Sequence, residues 1–172
     1  RWMFGQDEIA LADHEKWYGK QLDRANVHLL IFETDGSKGG EPMGLVNVTQ
    51  ITVDKYQTLQ LANTHTPNPN ASNPNASSPN EKTASWGFYL SPNSPKGQGF
   101  GFALGVLAIA QIFNTTDIGK ITAQVLAYNT ASLALHRKLG FSETGVLKQH
   151  FGVGDKVYDV VEFELKSQDF LF

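Results

Sequence analysis

Lys96-Gly97-Gln98-Gly99-Phe100-Gly101-Phe102 is the stretch that decides the fold. It stands between a strand-like run, Ser85-Trp86-Gly87-Phe88-Tyr89-Leu90, which stops at Ser91-Pro92, and an apolar run from Phe100 to about Asn114. That second run reads as a buried helix and is too short to span a bilayer. Glycines let successive N–H groups point into one concavity, and a helix N-terminus adds the positive end of its dipole. Such a strand–turn–helix junction can hold a pyrophosphate. From the glycines alone, a tight turn serving close helix–sheet packing fits equally well. The dinucleotide fingerprint fails, since its third glycine would fall on Phe102 or Leu104. A P-loop fails because no Lys-Ser/Thr follows the glycines, and a kinase loop fails because this one opens a helix.

Upstream, Leu11 to Leu22 predicts an amphipathic helix, Val27 to Phe32 a strand ending at the Asp35-Gly36 turn, and Met43 to Val53 a second strand. The Gly39-Gly40 region joins the two strands as a hairpin. Composition then changes sharply. Asn68-Pro-Asn-Ala-Ser and Asn73-Pro-Asn-Ala-Ser form a tandem repeat that cannot bury apolar surface, so a disordered loop is expected over about 63–83. Downstream, Lys120 to Ala127 predicts a strand, Thr130 to Leu139 a helix stopped by Gly140, and Phe141 to Phe151 and Val157 to Leu165 two closing strands. Hairpins combined with a β-α-β-α-β run imply an α/β (α+β) class: one mixed sheet with helices packed against it.

The 172 residues fit a single domain with one decorated loop, and 41% hydrophobic residues suffice for a core. Cysteine is absent, which excludes disulfides and thiolate chemistry and suits a cytoplasmic location. A net charge of -3 argues against a nucleic-acid binder yet permits one anionic ligand on backbone amides. No membrane partner is expected. His28, His65 and His150 lack metal-ligand spacing, so no metal is expected either. The start at Arg1 predicts a chain that begins inside a longer product.

Asn129, Ser132 and His136 fall at i, i+3 and i+7, a single stripe along the helix that ends in Arg137-Lys138-Leu139-Gly140-Phe141. A polar stripe on a short helix is ordinarily its solvent face. Taken with the glycine turn, however, it resembles the GNAT acetyltransferase superfamily. The acetyl-CoA loop of that family reads Arg/Gln-x-x-Gly-x-Gly/Ala, and Lys96 to Gly101 matches with Lys96 in the Arg/Gln place. Its later signature, Asn-x-x-(Ala/Ser)-x-x-x-Tyr-x-x-x-Gly-Phe, matches from Asn129 through Ser132 to Gly140-Phe141, with His136 where tyrosine is usual. A closer resemblance is to the bacterial N-acetyltransferases of pseudaminic acid biosynthesis. It is carried by Trp2-Met3-Phe4, His14, Val48-Thr49-Gln50-Ile51, Trp86 to Tyr89 and Tyr158-Asp159-Val160-Val161.

The resemblance implies the acyl-CoA N-acyltransferase fold: a mostly antiparallel sheet flanked by helices, lacking here the family's first strand and the helix that bears its Arg-Asn pair. It implies an enzyme that moves acetyl from acetyl-CoA to an amine by direct attack, the amine being the 4-amino group of a UDP-linked amino sugar. A protein N-terminus, a polyamine, or a non-catalytic acyl-CoA-binding module are the alternatives, and a homodimer is compatible. Coenzyme A would lie on Phe88, Tyr89, Leu90, Lys96, Gly97, Gln98, Gly99, Phe100, Gly101, Phe102, Asn129 and Ser132. The Leu90 N–H would face the developing oxyanion, and His136 would give the thiolate its proton. Met3, Phe4, His14, Thr49, Gln50, Tyr89 and Gln124 would meet the acceptor. Gln124 stands where related sugar acetyltransferases place a glutamate base, and an amide cannot act as one. Glu8, Asp159 and Glu162 read as structural or solvated carboxylates.

Overall fold

The computed structural model describes residues 10–35, 40–51, 81–153 and 156–172. In chain order they form α1 (Leu11–Leu22), β1 (Val27–Glu33), β2 (Pro42–Ile51), β3 (Lys82–Leu90), α2 (Phe100–Thr115), β4 (Ile118–Leu126), α3 (Thr130–Lys138), β5 (Ser142–Val153) and β6 (Lys156–Lys166), then a 3-10 turn at Ser167–Asp169. The six strands make one sheet in the order β1-β2-β3-β4-β6-β5. Every neighbouring pair is antiparallel except β3 and β4. That single parallel pair is the one joined through a helix, because a parallel neighbour needs a crossover.

One face of the sheet is apolar because the strands alternate with period two. Val46 and Val48 of β2, Ala84 and Trp86 of β3, Ile121, Ala123 and Val125 of β4, and Val161, Phe163 and Leu165 of β6 are all buried. They meet Leu104, Ala108, Ile109 and Ile112 of α2 in a shared core, helix positions spaced to lie on one face. Fully burying such a side chain contributes about 1.5–3 kcal/mol. Truncating Ile109 to alanine would cost about 2–5 kcal/mol. Gly105 lets the end of α3 approach α2, since a Cβ there would stand 2.6 Å from Leu139 Cδ1.

Helix α1 spans the predicted residues, although it has no buried residue among its twelve. The β1–β2 hairpin closes through Thr34 N–H to the Glu41 carbonyl and Glu41 N–H to the Thr34 hydroxyl, both 3.0 Å. Strand β3 starts at Lys82, so the predicted loop ran too far. Lys82 and Thr83 already pair with β4, and Thr83 with Ile51 of β2, because a ladder can recruit polar residues that no hydrophobic pattern marks. The remainder of that loop, and the Thr52-Val53 end predicted for β2, lie outside the described residues. Among the described residues no helix is long and apolar enough to cross a membrane.

Candidate active site

The site begins where β3 and β4 part. Their parallel register runs from Lys82↔Ile118 to Ser85↔Thr122 and then stops. Beyond it β3 stays paired with β2 through Leu90, and β4 with β6 through Leu126. The two strands therefore diverge while each keeps its outer partner. Ser91 N–H donates to Met43 C=O at 2.8 Å, so the Ser91 amide points toward β2. By alternation the Trp86, Phe88 and Leu90 backbone groups point toward the gap. An extended ligand laid there could pair with them as a missing strand would. The Leu90 amide, expected on the oxyanion side, is one of these groups.

At the far end of β3 the chain turns into α2. Ser94 fastens the turn: its N–H reaches Ser91 C=O at 2.9 Å and its buried hydroxyl donates to Met43 C=O at 2.6 Å. Pro92 suits the second position of that four-residue turn. Gly97 and Gly99 have φ of +74° and +84°, in the left-handed region that side chains disfavour. A Cβ at either would meet nothing within 4 Å, so conformation rather than crowding calls for glycine. The first bond of α2 is Ala103 N–H to Gly99 C=O, which leaves the amides of Gly99, Phe100, Gly101 and Phe102 ahead of the helical ladder. No acidic residue occupies this first turn. From α3, the Lys138 ammonium lies 4.4 Å from the Phe102 ring centroid, bringing a cation to the same corner. The backbone here suits a diphosphate, and the open strand edges suit an amide-bearing arm. Both parts of coenzyme A thus have a place.

Helix α3 closes the gap from the apolar face. Asn129 is its N-cap, its side chain accepting from Ser132 N–H at 3.2 Å. At the other end Gly140 takes φ +93°, with Phe141 N–H to His136 C=O and Gly140 N–H to Arg137 C=O, a Schellman stop. His136 does not lie on a solvent face: only 3% of it is exposed. Its ring is enclosed by Trp86, Phe88, Phe141 and Phe163 at centroid distances of 5.2–5.9 Å. An indole N–H can only donate, so the 3.2 Å bond from Trp86 Nε1 makes His136 Nε2 an acceptor. The ring proton then sits on Nδ1, which donates to Ser132 C=O at 2.7 Å. Burial lowers the His136 pKa, and the bond to Ser132 only partly opposes this. A proton-donating His136 would need another protonation state and the loss of its indole bond.

Around the gap is a cavity of about 1130 Å³. Phe88, Leu90, Gly101, Asn129, Ser132 and His136 line its α3 side. The opposite sheet face contributes Asn47 and Thr49 of β2, Ser85 and Tyr89 of β3, Thr122 and Gln124 of β4, and Glu162 of β6, with Gln50 at the end of β2. Trp17 and Arg24 border that half. The predicted acceptor residues Thr49, Gln50, Tyr89 and Gln124 are thereby gathered. His14 stands one step back, stacked on Trp17 at 5.5 Å. Met3, Phe4 and Glu8 lie outside the described residues. Lys96 to Phe100 and Phe102 flank the cavity without lining it. The sequence reading missed Glu162, which accepts from Gln124 Nε2 at 3.2 Å. The register Gln124↔Glu162 sets them opposite each other. It also missed Lys138 and Arg24. Asp159, by contrast, is structural: it takes Lys148 Nζ at 2.8 Å and Gln149 N–H at 2.9 Å. Those bonds hold its pKa below the usual carboxylate range, and they fasten the one described non-glycine residue with positive φ, Gln149. Among the described residues no group of three His, Asp or Glu is arranged to hold a metal.

A gap between parallel strands, a glycine turn at its end and an Asn-capped helix beside it define an acyl-CoA-binding fold, and comparison with known proteins names it. Residues 1–142 match the family model described as the acetyltransferase (GNAT) domain, and the chain belongs to that family. A curated relative, the SPbeta prophage-derived uncharacterized N-acetyltransferase YokL of Bacillus subtilis (strain 168), is 28% identical over 90 residues. Those residues are 52% of this chain and 51% of the relative, so the chain spans about half the length of the curated relative it matches. Among solved structures, the spermidine N-acetyltransferase from Vibrio cholerae in complex with CoA and spermine superposes with a TM-score of 0.75 at 19% identity. The match covers 99% of this chain and 83% of that one. The ribosomal-protein-alanine N-acetyltransferase from Brucella melitensis gives 0.68 at 19% identity, over 95% and 83% of the two chains. Likeness at that identity speaks to the fold.

Proposed function

We propose that this chain transfers an acetyl group from acetyl-CoA to an amine, and that the acceptor is the 4-amino group of a UDP-linked amino sugar. The observation that carries the transfer is the parting of β3 and β4 beyond Ser85↔Thr122, with left-handed Gly97 and Gly99 at its outer end. Bound there, acetyl-CoA supplies an activated thioester carbonyl. The amides of Gly99 to Phe102, helped by Lys138, hold the diphosphate. The edge of β3 pairs with the pantetheine arm, and the Leu90 N–H stabilises the oxyanion. Asn129 and Ser132 border the arm from α3. His136 is assigned the orientation of Trp86 rather than delivery of a proton, because its two nitrogens already serve Trp86 and Ser132.

The acceptor half supports a sugar. Asn47, Thr49, Gln50, Thr122 and Gln124 are uncharged donors and acceptors that suit hydroxyl groups, and Arg24 suits a diphosphate. A polyamine presents several ammonium groups and would call for several carboxylates. Among the described lining residues Glu162 is the one carboxylate. A panel of acceptors with acetyl-CoA, read by product mass spectrometry, tests this reading. Acetylation of a UDP-4-amino sugar but not of spermidine or peptides is expected. Turnover of spermidine alone would replace the sugar with a polyamine and keep the transfer.

A further inference from the structure

We infer that Glu162 is the base that takes the proton from the acceptor ammonium, with Gln124 as the residue that orients it. The inference deepens the acetyl-transfer reading of this cavity and rests on it. An alkylamine near neutral pH is mostly an ammonium ion, which has no lone pair to attack a carbonyl. Something beside the gap must remove a proton. On β4 the strand alternation sends Gln124 into the acceptor half, and an amide has no basic site for this task. The carboxylate arrives from the neighbouring strand instead, directly across the ladder.

Three features fit Glu162 to the role. Its position is in the cavity wall, beside the divergence of β3 and β4. The Gln124 amide donates to Oε1 at 3.2 Å, which fixes the carboxylate plane. On the other side its cross-strand partner is Gly145, where any Cβ would come within 3.4 Å of Oε2. Glycine at that point leaves the β5 side of the carboxylate without a facing side chain.

The surrounding carboxylates are committed elsewhere. Glu164, two residues along the same strand, faces buried Lys120 at 3.9 Å. Asp159 pairs with Lys148, and Glu143 takes Arg137 Nε at 2.7 Å. Each of those three has a cation as partner, whereas Glu162 has a neutral amide. Arg24 is the cationic side chain among the described residues lining the same cavity. The proton balance is simple. Glu162 accepts H⁺ from R–NH₃⁺, and the freed lone pair forms the C–N bond as the C–S bond of the thioester breaks. The nitrogen's next proton leaves with the thiolate to give the thiol, and Glu162 returns its proton to water.

The test is steady-state kinetics with acetyl-CoA and the UDP-4-amino sugar on the wild type, on Glu162→Gln, and on the swap Gln124→Glu with Glu162→Gln. Glu162→Gln should lower kcat/KM for the amine about 10²-fold or more, make the remaining rate follow the free-amine fraction of the acceptor as pH rises, and leave acetyl-CoA affinity by calorimetry unchanged. The swap, which moves the carboxylate one strand over, should restore most of the lost rate. A Glu162→Gln enzyme whose pH profile matches the wild type's, or that changes KM for the amine alone, overturns the base. A wild type that binds acetyl-CoA but acetylates no amine overturns instead the reading on which this rests.

Discussion

The two halves of the cavity are built from different materials. Toward α2 and α3 the groups that would meet coenzyme A are mostly backbone: the edge of β3 and the amides of Gly99 to Phe102. Across the gap the groups that would meet the acceptor are side chains from separate strands, such as Thr49, Gln124 and Glu162. A backbone site is specified by what the chain must do locally, so it tolerates almost any residue except where φ is positive. A side-chain site depends on residue identity and on pleat parity, so it can change its ligand without disturbing the fold. On the proposed reading one half would define the family and the other the substrate.

Gly99→Val should separate the halves most sharply. A left-handed φ of +84° costs an L-residue about 1–2 kcal/mol, and a β-branched side chain more, so the turn should relax away from its present geometry. The expected result is a fall in acetyl-CoA affinity of about 10²-fold by calorimetry, comparable with the loss of one or two anion-binding hydrogen bonds. The circular dichroism spectrum should be unchanged. Gln98→Ala at the neighbouring position should leave affinity within about twofold, since a backbone site does not read that side chain. A Gly99→Val protein that binds acetyl-CoA as the wild type does would end the claim that this half is made by backbone.

His136 belongs to neither half and joins both to the core. His136→Ala would open a cavity among four aromatic rings and leave Trp86 Nε1–H without its acceptor. The expected loss is about 2–4 kcal/mol of stability, read as a lower urea midpoint. The pH dependence follows from the direction of its shift. Burial depresses the folded-state pKa, so unfolded chains bind the proton more readily. The stability contributed by neutral His136 is then complete above the ordinary histidine value of about 6.5 and is lost as pH falls through the lower folded value. His136→Ala should flatten that part of the curve. Asp159, also depressed but through Lys148 and Gln149, acts in the separate, more acidic carboxylate window. A variant whose midpoint follows pH as the wild type's does would show that the ring is not held neutral by burial.

How much of this could be read from the residues divides along the same line. The glycine turn was legible because the backbone leaves its requirement in the sequence as Gly97 and Gly99. The Leu11–Leu22 helix and the Gly140 stop were visible for similar local reasons. The orientation of α3 was not. Asn129, Ser132 and His136 announce a stripe, but a helix can turn a stripe toward water or toward a sheet, and here Trp86 and Phe163 await it. Glu162 was hidden for another reason. Its partnership with Gln124 spans 38 residues, and the irregular register between Glu143 and Gly145 decides what faces it from β5. No local pattern encodes either.

The smallest expected effect is on the side-chain half. The Thr49 hydroxyl lines the cavity and donates to Asn47 Oδ1 at 3.3 Å, a geometry that would orient the Asn47 amide toward a sugar hydroxyl. Thr49→Val keeps the shape and β-branching and removes one hydrogen bond, worth about 0.5–1.5 kcal/mol. KM for the UDP-sugar should rise about three- to tenfold, with acetyl-CoA affinity and the urea midpoint unmoved. Had the acceptor half been a backbone site like its counterpart, this substitution would do nothing. Had the two halves been one continuous site, acetyl-CoA binding would weaken along with the acceptor. A change confined to KM for the amine is the signature of a surface that selects its substrate with side chains on a scaffold it does not need to alter.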